Sequence, residues 1–380
     1  MSIAWPKLVS RFIDQCVAQG VASGALPTQL YKVCVDFVRW SEFGCPRSLT
    51  RWVGLCHLLS YRSSLPSTTV AKNRTTESGL LGFPGRVPDL KPGKYKDGTP
   101  LHKVQFLECK IILKPERFTS AKSFREYGKL VERAAKENDI ECTDKAAAPR
   151  PELREVLFFD TAGFKLYNNG FILRRRIQYK DGFPAGDPEI VFKFRHPEMQ
   201  RAAEIDVRPQ IAGKYVVKFK AEALPLKDQV GGYRLLFSHN AQFGLSQVPE
   251  GDQTSMGTLM RIFPCMASAL KTEADRVELV NQTIVEEVLQ DLGTLDFGAG
   301  MAAKFNVAIW RERGMHRPLV GEFAFQVKFQ HRDELREKAL ERAKRFFIDL
   351  QQIGRDWLSL GTTKTGIVYQ LKGNPPHAHE

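Results

Sequence analysis

No apolar run in the chain approaches the roughly 20 residues needed to cross a bilayer, and its opening residues lack the compact apolar stretch of a secretory leader. A soluble, cytoplasmic protein without a membrane partner is therefore expected. Cysteine is sparse: Cys16, Cys34, Cys45, Cys56, Cys109, Cys142 and Cys265 form no CxxC pair and no Cys/His ligand spacing. That scatter argues against a disulfide framework or a zinc site and fits a reducing compartment. No serine or histidine sits in a nucleophile-elbow context, and His377 and His379 in the terminal "PPHAHE" read as a frayed tail. The glycines of "DFGAG" (296–300) suit a turn better than a phosphate loop. RNP, helix-turn-helix and zinc-finger patterns are also missing, which argues against nucleic acid as the partner of a basic chain.

What is present is a formal charge of +13 on 380 residues with an ordinary apolar share of 43%, enough for a real core and an invitation to an anionic ligand. Residues 1–65 carry short apolar patches such as "LYKVCVDFVRW" and read as an appendage; 66–102, with "SSLPSTTVAKNRTTESG", read as a linker. The principal domain is expected over 103–372, with 373–380 as a tail. Within it, "KVQFLECKIIL" is β-rich, and "SFREYGKLVERAAKE" is helical in spacing with a Ser123 to Glu126 capping-box pattern. Strand-length segments follow: "EVLFFDT", "GFILRRRIQY", "EIVFKFRH", "AAEIDVRP", "KYVVKFKAE", "YRLLFSHN", "AAKFNVAIWRE" and "LVGEFAFQVKF". "TIVEEVLQDLG" reads as a helix stopped at Gly293, and 331–353 as a second helix with one apolar stripe. The expected fold is α+β: a closed antiparallel barrel of about eight strands with helices packed outside.

Side chains two apart on a strand face the same way. That rule aligns Glu108 with Lys110, Arg174 with Arg176, Lys193 with Arg195, Glu204 with Asp206, and Lys218 with Lys220, with mostly apolar residues between them. One such strand would be an ordinary exposed sheet face; five suggest a lumen lined by charge while the apolar alternates face the helices. Cations there would bind phosphates, and carboxylates would hold a divalent metal bridging to phosphate oxygens.

The order of motifs resembles the CYTH superfamily, the triphosphate tunnel metalloenzymes that include class IV adenylate cyclases, thiamine triphosphatases and inorganic triphosphatases. "FFDTAGFKLYNNGFILRRR" is similar to the family's aromatic-Asp-Thr segment followed by Gly-x-x-Leu-Arg-x-Arg. The first strand departs from the family's Glu-x-Glu-x-Lys, having Phe106, Glu108 and Lys110, and the late acidic strand has Glu322 followed by Ala324. The resemblance implies that Glu108, Glu204, Asp206 and Glu322 would hold Mg²⁺ or Mn²⁺, with Glu108, Glu204 and Asp206 catalytic. Lys110, Arg174, Arg176, Lys193, Arg195, Lys218, Lys220 and Lys304 would grip the phosphates. The implied activity is metal-dependent hydrolysis of a triphosphate compound: inorganic triphosphate, thiamine triphosphate or a nucleotide. Adenylate cyclase chemistry in the same cradle is the lesser expectation. A lapsed polyphosphate- or nucleotide-binding protein of the same fold is the alternative, suggested by the missing acids at 106 and 324.

Overall fold

A computed structural model describes residues 103–144, 150–249, 251, 253–270, 274–329 and 336–372. The expectations for the appendage, the linker, the tail and the start of the last long helix fall outside these residues.

The strands are β1 (Phe106–Leu113), β2 (Glu141–Asp144), β3 (Glu152–Asp160), β4 (Phe171–Lys180), β5 (Phe183–His196), β6 (Val216–Pro225), β7 (Tyr233–Gly244), β8 (Glu278–Asp296), β9 (Ala302–Glu312) and β10 (Pro318–Lys328). Nine of them close in the order β8-β3-β4-β5-β7-β6-β1-β10-β9 and back to β8, while β2 lies outside along the far end of β8. Closure leaves the barrel without edges. The expected all-antiparallel pairing has one exception: β1 runs parallel to β6. The chain between these strands is long enough to cross over, which parallel pairing requires.

The helices are α1 (Lys122–Glu137), α2 (Lys165–Asn168), α3 (Met199–Glu204), α4 (Met256–Ile262), α5 (Glu337–Ile353) and α6 (Lys364–Tyr369). Helix α1 buries Phe124, Tyr127, Val131 and Ala134, and α5 buries Ala339, Ala343, Phe346, Phe347 and Leu350. Both faces join the outward alternates of the wall, among them Cys109, Ile111, Phe305, Phe323 and Phe325, in one core cluster. Phe346 alone meets the rings of Phe297, Phe323 and Phe325. No described helix is long and apolar enough to cross a membrane.

Three sequence expectations give way. "TIVEEVLQDLG" lies in β8, whose 19 residues pair in turn with β3, β9 and β2. Three partners outweigh a helical spacing of Ile284, Val285, Val288 and Leu292, and β-branched residues suit the strand. Gly293 is a bulge rather than a helix stop. Its φ is +155°, and a Cβ there would fall 2.1 Å from the Thr143 carbonyl oxygen. "AAEIDV" is not a strand but α3 and the extended segment after it, because Met199, Ala202 and Ala203 are buried together against the outer wall. Ser123 does not cap α1: the N-cap is Ala121, without a side-chain bond, and Ser123 is buried within the helix.

Candidate functional site

The register turns strand parity into a lumen. Phe106 lies beside Lys220 and Lys328, Glu108 beside Glu222 and Gln326, and Lys110 beside Ala324. Lys193 and Lys218 both lie beside Asn240, and Arg195 and Lys220 both beside Ser238. Arg174 sits between Phe158 and Val191, and Arg176 between Val156 and Glu189. The outward residues of these same strands, Leu107, Cys109, Phe219, Phe192 and Leu173, are buried in the clusters beneath the helices. Alternate charged and apolar residues are therefore explained by a barrel that faces packing on one side and an anion-ready interior on the other.

Glu222 is the hub. It is 1% exposed, accepts from Lys193 Nζ at 2.6 Å, and lies 3.4 Å from Lys110 Nζ and 3.3 Å from Arg195. The Ser238 hydroxyl donates to it at 2.6 Å. Lys110 also meets Glu108 at 2.8 Å, while Lys220 reaches Glu108 at 3.4 Å and donates to Gln326 at 2.7 Å. Burial opposes ionisation of Glu108 and Glu222, yet Lys110 and Lys220 around the first, and Lys110, Lys193 and Arg195 around the second, hold both carboxyls well below their usual range.

The cations outlast these acids. Burial and the neighbouring Arg195 push the Lys193 ammonium well down, and burial with Lys220 lowers Lys218. Burial and Arg176 push Arg174 down to about 9. Arg174 has no ion-pair partner among the described residues, and its Nε is buried without a hydrogen bond. Phe106, at the position where the sequence resemblance calls for an acid, is an aromatic floor for Lys218 and Lys220, at 5.9 and 5.8 Å from its ring centroid. Arg176 is paired with Glu189 at 3.2 Å. Lys304 shares the inward parity, opposite Gln326, but is exposed at the rim.

One end of the lumen is filled. Ile112, Val156, Phe158, Ile172, Val285, Trp310 and Val320 form an apolar cluster with Tyr167, Val368 and Tyr369. Tyr369 of α6 stacks on Tyr167 at 4.1 Å, and Asn281 Nδ2 donates to the carbonyls of Val368 and Tyr369 at 2.7 and 3.0 Å. Above this plug, Lys364 Nζ lies 2.7 Å from Glu322 and 3.1 Å from Glu287, and 4.6 Å from the Trp310 ring centroid. Glu287 also accepts from the Trp310 indole at 2.8 Å.

Glu204 and Asp206 are not brought to this lumen. Glu204 ends α3 on its exposed side and accepts from Gln200, and Asp206 chelates the Arg208 guanidinium at 2.8 and 2.9 Å through Nε. Arg175, with outward parity, lies with its guanidinium over the Phe159 ring at 5.5 Å. Asp160 and Thr161 serve the turn into α2: Asp160 accepts the backbone N–H groups of Thr161, Leu166 and Tyr167 at 2.7, 2.9 and 2.9 Å. Among the described residues no group of three or more His, Cys, Asp or Glu side chains is placed to hold a metal ion. Glu108, Glu222, Glu287 and Glu322 are each turned to a lysine, whereas Mg²⁺ or Mn²⁺ needs anionic oxygens free to face it, so these residues do not fit the implied metal.

Sequence reasoning missed Glu222, Glu287, Lys364 and Arg154, whose guanidinium lies 3.7 Å from Glu287. Glu222 continues the Lys218, Lys220 alternation and was legible in "KFKAE". Glu287 was hidden by the helical reading of its segment. Lys364 sits on a short helix that no charge spacing connects to the barrel.

The fold and site thus define a blind-ended, cation-lined β-barrel. No family model and no curated protein matches the chain. Among solved structures, a candidate adenylyl cyclase from Hippeastrum with a dominant triphosphatase activity is 13% identical, covering 73% of this chain and all of that one, with a TM-score of 0.34. A candidate adenylate cyclase from Bacillus halodurans is 10% identical over 69% of this chain and 95% of its own, with a TM-score of 0.31. One from Vibrio parahaemolyticus is 11% identical over 70% and 99%, with a TM-score of 0.29. Likeness at this level carries no functional inference.

Proposed function

We propose that the barrel binds a triphosphate compound, taking the phosphate chain into its lumen. The observation that carries this reading is Arg174: a desolvated guanidinium beside Arg176, with no carboxylate paired to it among the described residues. A half-buried guanidinium whose nearest acids, Glu287, Glu189 and Glu108, act on it only from beyond ion-pair range is costly to desolvate unless an anion arrives to pair with it. Lys193 and Lys218, both made less basic by burial and neighbouring cations, add to the same demand. The order of motifs that resembles the CYTH tunnels accords with this ligand class.

Hydrolysis of the bound chain is the second reading. Guanidinium and ammonium groups fixed in a buried lumen would stabilise the charge that develops when water attacks a terminal phosphorus. Calorimetric titration of the full chain with inorganic triphosphate, pyrophosphate and orthophosphate tests the first reading. Affinity should rise with chain length, and no heat with any of the three would refute it. Phosphate release from triphosphate, thiamine triphosphate and ATP, with Mg²⁺ and with Mn²⁺, separates enzyme from binder.

A further inference from the structure

Lys364 is out of place for a helix at the end of the described chain. Helix α6 lies well beyond the last barrel strand in sequence, yet it closes the barrel and sends this one charged side chain inward. Its N-terminus is fixed by the Thr363 hydroxyl, which accepts from Gly366 N at 3.0 Å. Its C-terminal carbonyls are held by Asn281. The ammonium is therefore anchored at both ends of its helix, and its position is not that of a loose surface lysine.

What it meets are two acids from separate strands, Glu287 of β8 and Glu322 of β10, respectively 4% and 7% exposed. Carboxylates so buried need a counter-cation. In a phosphate-binding lumen a divalent ion would be the usual choice, since it can face acids on one side and phosphate oxygens on the other. Here the place between the two acids is taken by an ammonium, whose remaining direction is screened by the Trp310 ring. On the adjoining strands β1 and β6 the pattern repeats: Glu108 is shared by Lys110 and Lys220, and Glu222 by Lys110, Lys193 and Arg195.

We infer that Lys364 is a resident cation standing where a metal would otherwise bridge Glu287 and Glu322, so that this lumen binds its phosphate ligand without a divalent ion. This rests on the phosphate-binding function proposed above and specifies how it is achieved. It also gives α6 a role beyond closing the barrel: it delivers the charge that completes the site.

The test is a titration of the full chain with inorganic triphosphate in EDTA and again with millimolar Mg²⁺ or Mn²⁺. Equal affinity in the two buffers, within about threefold, is expected; a gain of more than about tenfold with metal overturns the inference while leaving phosphate binding intact. No binding in either buffer removes the phosphate-binding function itself. In Lys364→Met, which keeps the length of the stem but removes the ammonium from between the two acids, Mn²⁺ followed by electron paramagnetic resonance should bind at least about tenfold more tightly than to the wild type. A folded Lys364→Met that binds Mn²⁺ no better than wild type also overturns the inference. Should that variant fail to fold, the wild-type titration still decides.

Discussion

Glu222→Gln puts the charge balance of the lumen under direct load. The wild-type carboxylate, 1% exposed, faces Lys193 at 2.6 Å, Arg195 at 3.3 Å and Lys110 at 3.4 Å. The amide keeps the volume and one oxygen to accept from Ser238, but three desolvated cations are left facing one another. Removing one member of a buried ion pair costs about 3–5 kcal/mol, chiefly because the partner stays buried and unpaired. Urea unfolding at pH 7, followed by tryptophan fluorescence, should show the variant less stable by about that amount. The pH dependence has a definite sign. The carboxyl is held well below its usual range in the fold, because the three cations outweigh burial. Its contribution is therefore fully present above the unfolded value of about 4.3 and is lost as pH falls through the native one. The gap between wild type and variant should be constant from about pH 5 to 8 and narrow only in strong acid. Inorganic triphosphate supplies the missing negative charge, so it should stabilise the variant by more than the wild type. A variant within about 1 kcal/mol of wild type at pH 7, stabilised equally by triphosphate, would refute the assignment of Glu222 as the central counter-charge.

Arg174→Ala should weaken triphosphate binding about 10- to 100-fold in calorimetric titration, the value of a charge-assisted contact, whereas Arg175→Ala, on the outer face over Phe159, should change it less than about threefold. Burial opposes ionisation of Glu287, but Lys364, Arg176 and the Trp310 indole bring its carboxyl down to about 2 from 4.5. Its share of stability, about 3 kcal/mol, should thus be present above pH 4.5 and vanish as pH falls through 2, so urea unfolding of Glu287→Gln should converge on wild type at the acid end. Asp160→Ala strips the acceptor from three backbone N–H groups and the Tyr369 hydroxyl, and should cost at least about 2 kcal/mol in the same assay while leaving the affinity of the folded protein for triphosphate nearly unchanged.

The barrel wall was legible because its alternation is strict. Between Phe106 and Leu113, or Phe171 and Arg176, each residue has one of two faces, and closing the sheet assigns the charged face to the interior. What alternation cannot reveal is curvature. The 19-residue β8 bends past three partners, and its Ile284, Val285, Val288 and Leu292 happen to fall at helical spacing, so local pattern and final structure conflict there. The "RAAEIDV" segment failed for the opposite reason. Glu204 and Asp206 satisfy a strand rule of two, but Met199, Ala202 and Ala203 satisfy a helical one, and burial against the wall decides. Lys364 lay beyond both rules, since its partners Glu287 and Glu322 are tens of residues away and only the docking of α6 unites them.

The filled end has a consequence for what the lumen can accept. An open tube lined with cations could let a polymer thread through it, and every segment of that polymer would see the same groups. Here Ile112, Phe158, Trp310 and Val320 fill the barrel beneath Lys364, with α6 closing over them. On the proposed function, a phosphate chain entering from the rim, past Lys304, Lys218 and Phe106, would therefore have to present an end. Terminal phosphates carry more charge than internal ones, and Arg174, with no ion-pair partner among the described residues, and Arg176 line the wall directly beside the plug residues Phe158 and Val156. Deep cations selecting a doubly charged terminus, and rim cations holding whatever follows it, is the division of labour that this arrangement of charge favours. The chemical group attached to the chain then remains near the mouth, where the cation array makes no demand on its shape.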